Sequence, residues 1–139
     1  MQVQAYLFFD GRCEQAVEFY KKALGAKQGR LMRYQDSPEA PPPGMVPPGY
    51  EGKVMYTEFR VGDTQVMACD DATRTITGFK GFRLSLSVTN ETEAKRVFAA
   101  LANGGEVNMP LAKTFFSPCF GMLKDKFGVG WMVIVPAAS

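Results

Sequence analysis

The chain has 139 residues, of which 46% are hydrophobic and 22% charged, and this is enough for one globular domain with a sizeable core. Its net charge is only +2 and its basic residues are scattered, so its composition carries no electrostatic signature of a nucleic-acid-binding protein. No apolar run approaches the length of a membrane span, and the first residues lack the basic region of a secretion signal, so we expect a cytoplasmic protein that does not enter a membrane.

Two residue counts limit the chemistry further. The sequence contains no histidine, which excludes Ser-His-Asp and Cys-His catalysis and histidine-based zinc sites. The three cysteines, Cys13, Cys69 and Cys119, are widely spaced and odd in number. We interpret them as reduced thiols rather than as a disulfide framework or a zinc site.

The first half of the chain reads as a strand, a helix and three further strands. Alternation and composition predict these strands at 4–10, 29–35, 53–61 and 64–70. The apolar spacing over 14–24 predicts an amphipathic helix that ends at Gly25. The segment from about 37 to 52 is dense in proline and glycine and predicts a loop. A lid, a dimer contact and a disordered insertion all fit its composition.

The second half repeats this order. It predicts strands at 80–89, 106–112, 120–125 and 131–135. Asn90 is placed to cap a helix that runs to about residue 103. Four apolar positions of the first helix recur in the second at a constant offset of 78, namely Ala16, Phe19, Tyr20 and Ala23 against Ala94, Val97, Phe98 and Leu101. This indicates an internal duplication of a βαβββ unit, although two unrelated amphipathic helices would also fit.

Two segments carry a resemblance to a known family. The stretches FDGRCEQAVEFYKKALGA at 9–26 and FGMLKDKFGVGW at 120–131, with the duplicated βαβββ order, resemble the PhnB-type branch of the vicinal oxygen chelate superfamily, which includes glyoxalase I and bleomycin-resistance proteins. The resemblance covers essentially the whole chain. It implies an α+β fold in a single domain, 1–139, with two βαβββ modules at about 1–72 and 78–139.

The resemblance also implies a place for the ligand. Each module would curl its sheet into a half-barrel, with its helix on the convex side and a cavity on the concave side, and the protein would be a homodimer. In metal-using relatives, residues on the first and last strands of each module hold a divalent ion. By alignment those positions fall on Ala5, Met67, Arg83 and Met132, which cannot ligate a hard cation. We therefore expect no cofactor, with a divalent metal as the disfavoured alternative.

The strand at 80–89 has two chemically different faces. Phe82, Leu84, Leu86 and Val88 alternate with Arg83, Ser85 and Ser87. If the helices cover the apolar set, Arg83 faces the cavity, where it either binds a carboxylate or phosphate of a ligand or pairs with an internal acid such as Glu58. The residues that we predict to bind ligand are Phe9, Met67, Cys69, Arg83, Ser85 and Met132.

A few residues are candidates for catalysis. Glu58 is the only carboxylate in the middle of a predicted strand, so it is the candidate general base, with Tyr56 as its partner, although such a glutamate is more often solvated or ion-paired. Cys119 has no base nearby in the sequence that would activate it as a nucleophile. Alternation places Trp131 with Val133 and Val135, which favours a core position.

Three functions remain open. We favour a metal-free protein that binds or sequesters a small anionic or aromatic molecule in its cavity. The alternative is a small-molecule enzyme of the glyoxalase/dioxygenase class, a lyase, isomerase or dioxygenase, that uses Glu58 and Tyr56, with or without a divalent metal held by Asp70 or Asp71. The third is a scaffold whose own side chains fill the cavity.

Overall fold

A computed structural model describes residues 1–39, 46–73 and 78–137. The chain divides into two compact units, Met1–Thr77 and Gly78–Ser139. Most of the predicted proline-rich loop is described, but its central residues 40–45 lie outside the described ranges.

The first unit contains one four-stranded sheet and one α-helix. Its elements are β1 (Tyr6–Phe9), α1 (Cys13–Leu24), β2 (Lys27–Arg33), a 3-10 turn (Tyr34–Asp36), β3 (Val54–Val61) and β4 (Thr64–Asp70). The strand order across the sheet is β1-β4-β3-β2. The first strand runs parallel to β4, and the other neighbours are antiparallel.

The second unit repeats this architecture. Its elements are β5 (Leu84–Ser87), α2 (Glu91–Ala102), β6 (Glu106–Ala112), β7 (Cys119–Lys124) and β8 (Gly130–Val135). The order β5-β8-β7-β6, with β5 parallel to β8, matches that of the first sheet. The common topology confirms the predicted α+β fold with two βαβββ modules. Strands β4 and β6 have their predicted bounds, whereas β5 is shorter than predicted.

Both helices end or begin at the predicted residues. Gly25 closes α1 in the left-handed conformation, with φ 68°, and its N–H donates to the Lys21 carbonyl at 3.0 Å. The Asn90 side chain caps α2 by accepting a hydrogen bond from the Glu93 N–H at 2.8 Å. Neither helix has the length and apolar character that would let it cross a membrane.

Each helix packs against the sheet of its own unit. Tyr20 of α1 stacks on Phe59 of β3, with the ring centroids 5.5 Å apart, and both side chains are fully buried. Trp131 is 3% exposed, which confirms its predicted core position, and its indole N–H donates to Asp125 at 2.9 Å. In both sheets, therefore, one face is covered by a helix, and alternate residues lie on the opposite face.

A buried carboxylate joins three segments of the first unit. Oδ1 of Asp70, at the end of β4, accepts hydrogen bonds from the N–H groups of Gly11 and Cys13, both at 2.9 Å. Oδ2 accepts from the Val54 N–H at 3.0 Å, and Asp70 is 1% exposed. One side chain thus fixes where α1 and β3 begin relative to β4.

We expect Asp70→Ala to lower the free energy of unfolding by at least about 3 kcal/mol, because three N–H groups would lose a charged acceptor. The exposed turn residue Asp63 offers a matched control, since Asp63→Ala removes the same charge without unpairing buried groups. Urea unfolding followed by circular dichroism measures both variants. Equal losses for the two variants would contradict the structural role of Asp70.

Candidate functional site

The face of the first sheet opposite α1 carries exposed aromatic side chains. Leu7 and Phe9 are each 1% exposed, whereas Tyr6 and Phe8 between them are 39% and 41% exposed. The strand register places Met67 beside Tyr6, and Cys69 beside Phe8. We call this surface the first open face; its residues are Tyr6, Phe8, Tyr56, Glu58, Met67 and Cys69.

The rings on the first open face lie close together. The centroids of Tyr6 and Phe8 are 4.9 Å apart with an interplanar angle of 30°, and those of Tyr6 and Tyr56 are 6.3 Å apart. Adjacent exposed aromatic rings next to a thioether form an apolar surface that suits a flat ligand.

One of the predicted ligand-binding residues must be corrected. Phe9 does not reach the first open face, because its ring lies in the core on the side of the sheet that α1 covers. Sequence reasoning placed Phe9 on this face, whereas the structure places Tyr6 and Phe8 there. The sequence alone did not show which alternate residues of β1 face the helix. The buried position of Leu7 shows that Leu7 and Phe9 do, and that Tyr6 and Phe8 face the other way.

The two predicted catalytic residues, Glu58 and Tyr56, are hydrogen-bonded to each other. The Tyr56 hydroxyl donates to Glu58 Oε2 at 2.5 Å, and this hydrogen bond is the main cause that lowers the pKa of Glu58 and raises that of Tyr56. Gln65 Nε2 also donates to the same oxygen, at 3.4 Å. A lowered carboxyl pKa makes a weaker base and a raised phenol pKa makes a weaker acid, so both shifts oppose proton transfer near neutral pH.

The thiol of Cys69 is protonated and held among phenols. Burial raises its pKa to about 11, although the hydrogen bond with Tyr6 acts in the opposite direction. Burial likewise raises the pKa of Tyr34 to about 12, and its hydroxyl donates to the Asp70 carbonyl at 2.7 Å. Because their pKa values are raised, Cys69 and Tyr34 are uncharged near neutral pH and are poor nucleophiles there.

The second sheet has its own face opposite the helix. Ser85 and Ser87 are exposed there, and the register pairs them with Met132 and Ile134 of β8. Phe120 and Met122 of β7 continue this surface, since they neighbour Ile134 and Met132. We call it the second open face; its residues are Ser85, Ser87, Phe120, Met122, Met132 and Ile134. Ser85 and Met132 therefore lie together as neighbours.

Arg83 lies at one end of the second open face. Its Nη1 donates to the Leu123 carbonyl at 2.9 Å and to Asn108 Oδ1 at 3.1 Å. Both acceptors belong to the second unit, like Arg83 itself. Nothing in the local sequence around Arg83 identifies them, because they lie 25 and 40 residues further along the chain.

The positions aligned with metal ligands do not fit a divalent ion. Met67, Arg83 and Met132 offer two thioethers and a cation, and the side chain of Ala5 is a methyl group, so none of the four side chains ligates a hard divalent ion. The other predicted oxygen ligands are engaged: Asp70 accepts three backbone hydrogen bonds, and Asp71 Oδ1 accepts from the Thr73 hydroxyl at 2.7 Å. The described part of the chain contains no group of three or more cysteine or acidic residues arranged to hold a metal ion.

Several known proteins are similar to this chain. A family model described as 3-demethylubiquinone-9 3-methyltransferase matches residues 1–134. Protein YjdN of Escherichia coli K12 is 33% identical, over 97% of this chain and 95% of that protein. The crystal structure of PA1353 from Pseudomonas aeruginosa is 39% identical, covers 98% of both chains and superimposes with a TM-score of 0.86.

Two further structures define the branch and the fold. A Bacillus cereus protein described as a putative 3-demethylubiquinone-9 3-methyltransferase, PhnB protein, is 28% identical over 97% of this chain and 99% of that one, with a TM-score of 0.79. A glyoxylase/bleomycin resistance protein/dioxygenase domain from Frankia sp. EAN1pec shares the fold at 13% identity, over 99% and 98% of the chains, with a TM-score of 0.71. The chain therefore belongs to the PhnB-like family, described by the 3-demethylubiquinone-9 3-methyltransferase model, and it has the fold of the glyoxylase/bleomycin resistance protein/dioxygenase domain.

Proposed function

We propose that the protein binds or sequesters a small aromatic or anionic molecule on its open faces without a metal ion. The observation that carries this proposal is the exposed pair of rings formed by Tyr6 and Phe8, beside Met67 and Cys69. Exposed neighbouring aromatic rings on an ordered strand provide contact area at little cost in conformational entropy. A planar ligand that covers them would remove apolar surface from water.

The second open face supplies contacts of a different kind. The hydroxyl of Ser85 and the guanidinium of Arg83 offer hydrogen-bond donors, while Met132 offers a thioether that adapts to the shape of a ligand. This combination supports the anionic part of the proposed ligand class.

An enzyme with Glu58 and Tyr56 as acid and base is the second candidate. The hydrogen bond between the two side chains supports it, as does the description of the Frankia structure as a glyoxylase/bleomycin resistance protein/dioxygenase domain, which names enzymes beside a resistance protein. The pKa shifts weigh against it, because the hydrogen bond between the two side chains weakens each for its proposed role.

A methyltransferase activity, named in the description of the family model, would need a site for a methyl donor. Nucleotide-binding α/β proteins hold their ligand at the junction of the first strand and helix. Here the N–H groups of Gly11 and Cys13 at that junction both bind the Asp70 carboxylate. This weighs against a nucleotide-type donor at that position.

The anionic aromatic dye 8-anilinonaphthalene-1-sulfonate tests the proposal by fluorescence titration. We expect saturable binding that Phe8→Ser weakens about tenfold, because the variant removes one of the two adjacent exposed rings. Phe82→Ser is the matched control, since Phe82 is 46% exposed but lies on the second unit, before β5 begins. The proposal would be contradicted if Phe8→Ser and Phe82→Ser changed the affinity for the dye equally, or if the wild type showed no saturable binding.

We also propose that the protein is a homodimer, as the resemblance implies. Native mass spectrometry of the protein as purified is expected to give the mass of two chains, with an additional organic mass where a ligand is retained. A spectrum that shows only single chains would contradict the dimer. A stoichiometric divalent metal ion would contradict the metal-free part of the proposal.

The raised pKa values of the three buried cysteines predict that thiol reagents modify them slowly. Burial raises the pKa of Cys69 to about 11 and also raises those of Cys13 and Cys119, so the thiolate fraction at about pH 8 lies below that of an ordinary cysteine. Ellman's reagent should label none of these three buried cysteines in the native protein and all three in concentrated urea. For Cys69 the rate should rise as the pH approaches about 11. Rapid labelling of Cys69 at neutral pH would revive a nucleophilic role.

A further inference from the structure

The second open face changes in polarity along the strands. Gly130 and Lys124 are direct neighbours in the sheet, and the side chain of Arg83 lies against Gly130, so two cationic side chains share one end of the face. Towards the other end, the neighbouring pairs are first Ser85 and Met132, then Ser87 and Ile134. We call this charged end the cationic row. It consists of the cationic residues Arg83 and Lys124 and of Gly130, which lies between them.

The missing side chain of Gly130 allows Arg83 to lie flat across β8. A Cβ at position 130 would lie 3.1 Å from Cγ and 3.3 Å from Nη1 of Arg83. With that space open, Nη1 reaches the carbonyl of Leu123 on β7 and the side chain of Asn108 on β6. The guanidinium is thus held in one orientation before any ligand arrives, which lowers the entropic cost of binding.

The acceptors that hold Arg83 do not neutralise it. A backbone carbonyl and an amide oxygen are both uncharged, so the guanidinium keeps its full positive charge. The register places Glu106 of β6 opposite Lys124, so a carboxylate neighbours the lysine. Arg83 therefore provides the stronger attraction for an anion, and Lys124 adds to it at an exposed position.

We propose that the second open face binds an amphipathic anion, with its carboxylate or phosphate head at Arg83 and its apolar body along β8 over Met132 and Ile134. The five residues from Gly130 to Ile134 span about 13 Å at the rise of a strand, which sets the length of the apolar body. This inference rests on the proposed function and narrows its ligand class from any small aromatic or anionic molecule to one with a charged head and an extended apolar body.

Titrations followed by amide NMR shifts and by calorimetry test this proposal with three probes of equal chain length. Decanoate and decyl phosphate are expected to bind and to shift the amide signals of Ser85 and Met132, and the tighter of the two identifies the head group. Decyltrimethylammonium is expected not to bind at the same concentrations, because the cationic row repels it. Among carboxylates, affinity should rise from hexanoate to decanoate as more of β8 is covered.

Variants separate the head from the body. Arg83→Gln should weaken decanoate at least about tenfold, since it removes the charged donor. Arg96→Gln is the matched control because it removes the same charge from the exposed surface of α2 in the same unit, where Arg96 faces Glu93. Lys124→Gln should cause a smaller loss, and it serves as the second variant if Arg83→Gln fails to fold. Met132→Ser should weaken decanoate while leaving the weak binding of acetate unchanged.

The outcomes distinguish this inference from the proposed function. Binding of the dye without binding of decanoate or decyl phosphate would overturn the amphipathic anion and leave the proposed function standing. If the dye, decanoate and decyl phosphate all fail to bind, both this inference and the proposed function are overturned. If Arg83→Gln and Lys124→Gln bind decanoate as tightly as the wild type does, the cationic row does not bind the head group. Equally tight binding of decyltrimethylammonium would show the same.

Discussion

The Asp70 carboxylate holds together the part of the first unit on which its open face depends. It accepts hydrogen bonds from the N–H groups of Cys13 at the start of α1, of Gly11 two residues before that helix and of Val54 at the start of β3, and Asp70 itself ends β4. Its own backbone carbonyl receives the hydroxyl of Tyr34, which anchors the turn after β2 to the same point. The buried carboxylate therefore ties the end of β4, next to Cys69, to the starts of α1 and β3.

The two units share a topology but present different chemistry on their open faces. In each, a glycine lets a charged side chain lie flat on the sheet: Gly29, where a Cβ would come within 2.9 Å of Glu58, and Gly130 beside Arg83. The charged groups then differ in what remains available. Glu58 accepts hydrogen bonds from Tyr56 and Gln65 on the aromatic surface, whereas Arg83 donates to two uncharged acceptors. The same strand order thus supports two surfaces of different chemistry.

Local patterns predicted the fold well because they depend on neighbouring residues. The bounds of β4 and β6, the Asn90 cap and the Gly25 end all follow from spacing and from the conformations that these residue types adopt. The site was harder to predict, because it depends on which face each strand turns to its helix and on partners distant in the chain. The consecutive residues Phe8 and Phe9 could not be told apart until the parity of β1 was known. The acceptors of Arg83 and the three donors to Asp70 meet only after the sheets form.

The pairing of the first strand of each unit with its last strand also affects how the chain reaches its native state. Tyr6 lies beside Met67, and Leu84 lies beside Trp131, so nearly the whole unit separates the two partners in sequence. During synthesis neither sheet can be completed until its final strand has left the ribosome, and the edge of β4 or β8 stays exposed until the opening strand docks. The first unit can therefore close while the second is still being made, which limits the time for which unpaired strands of both units coexist and are open to intermolecular association.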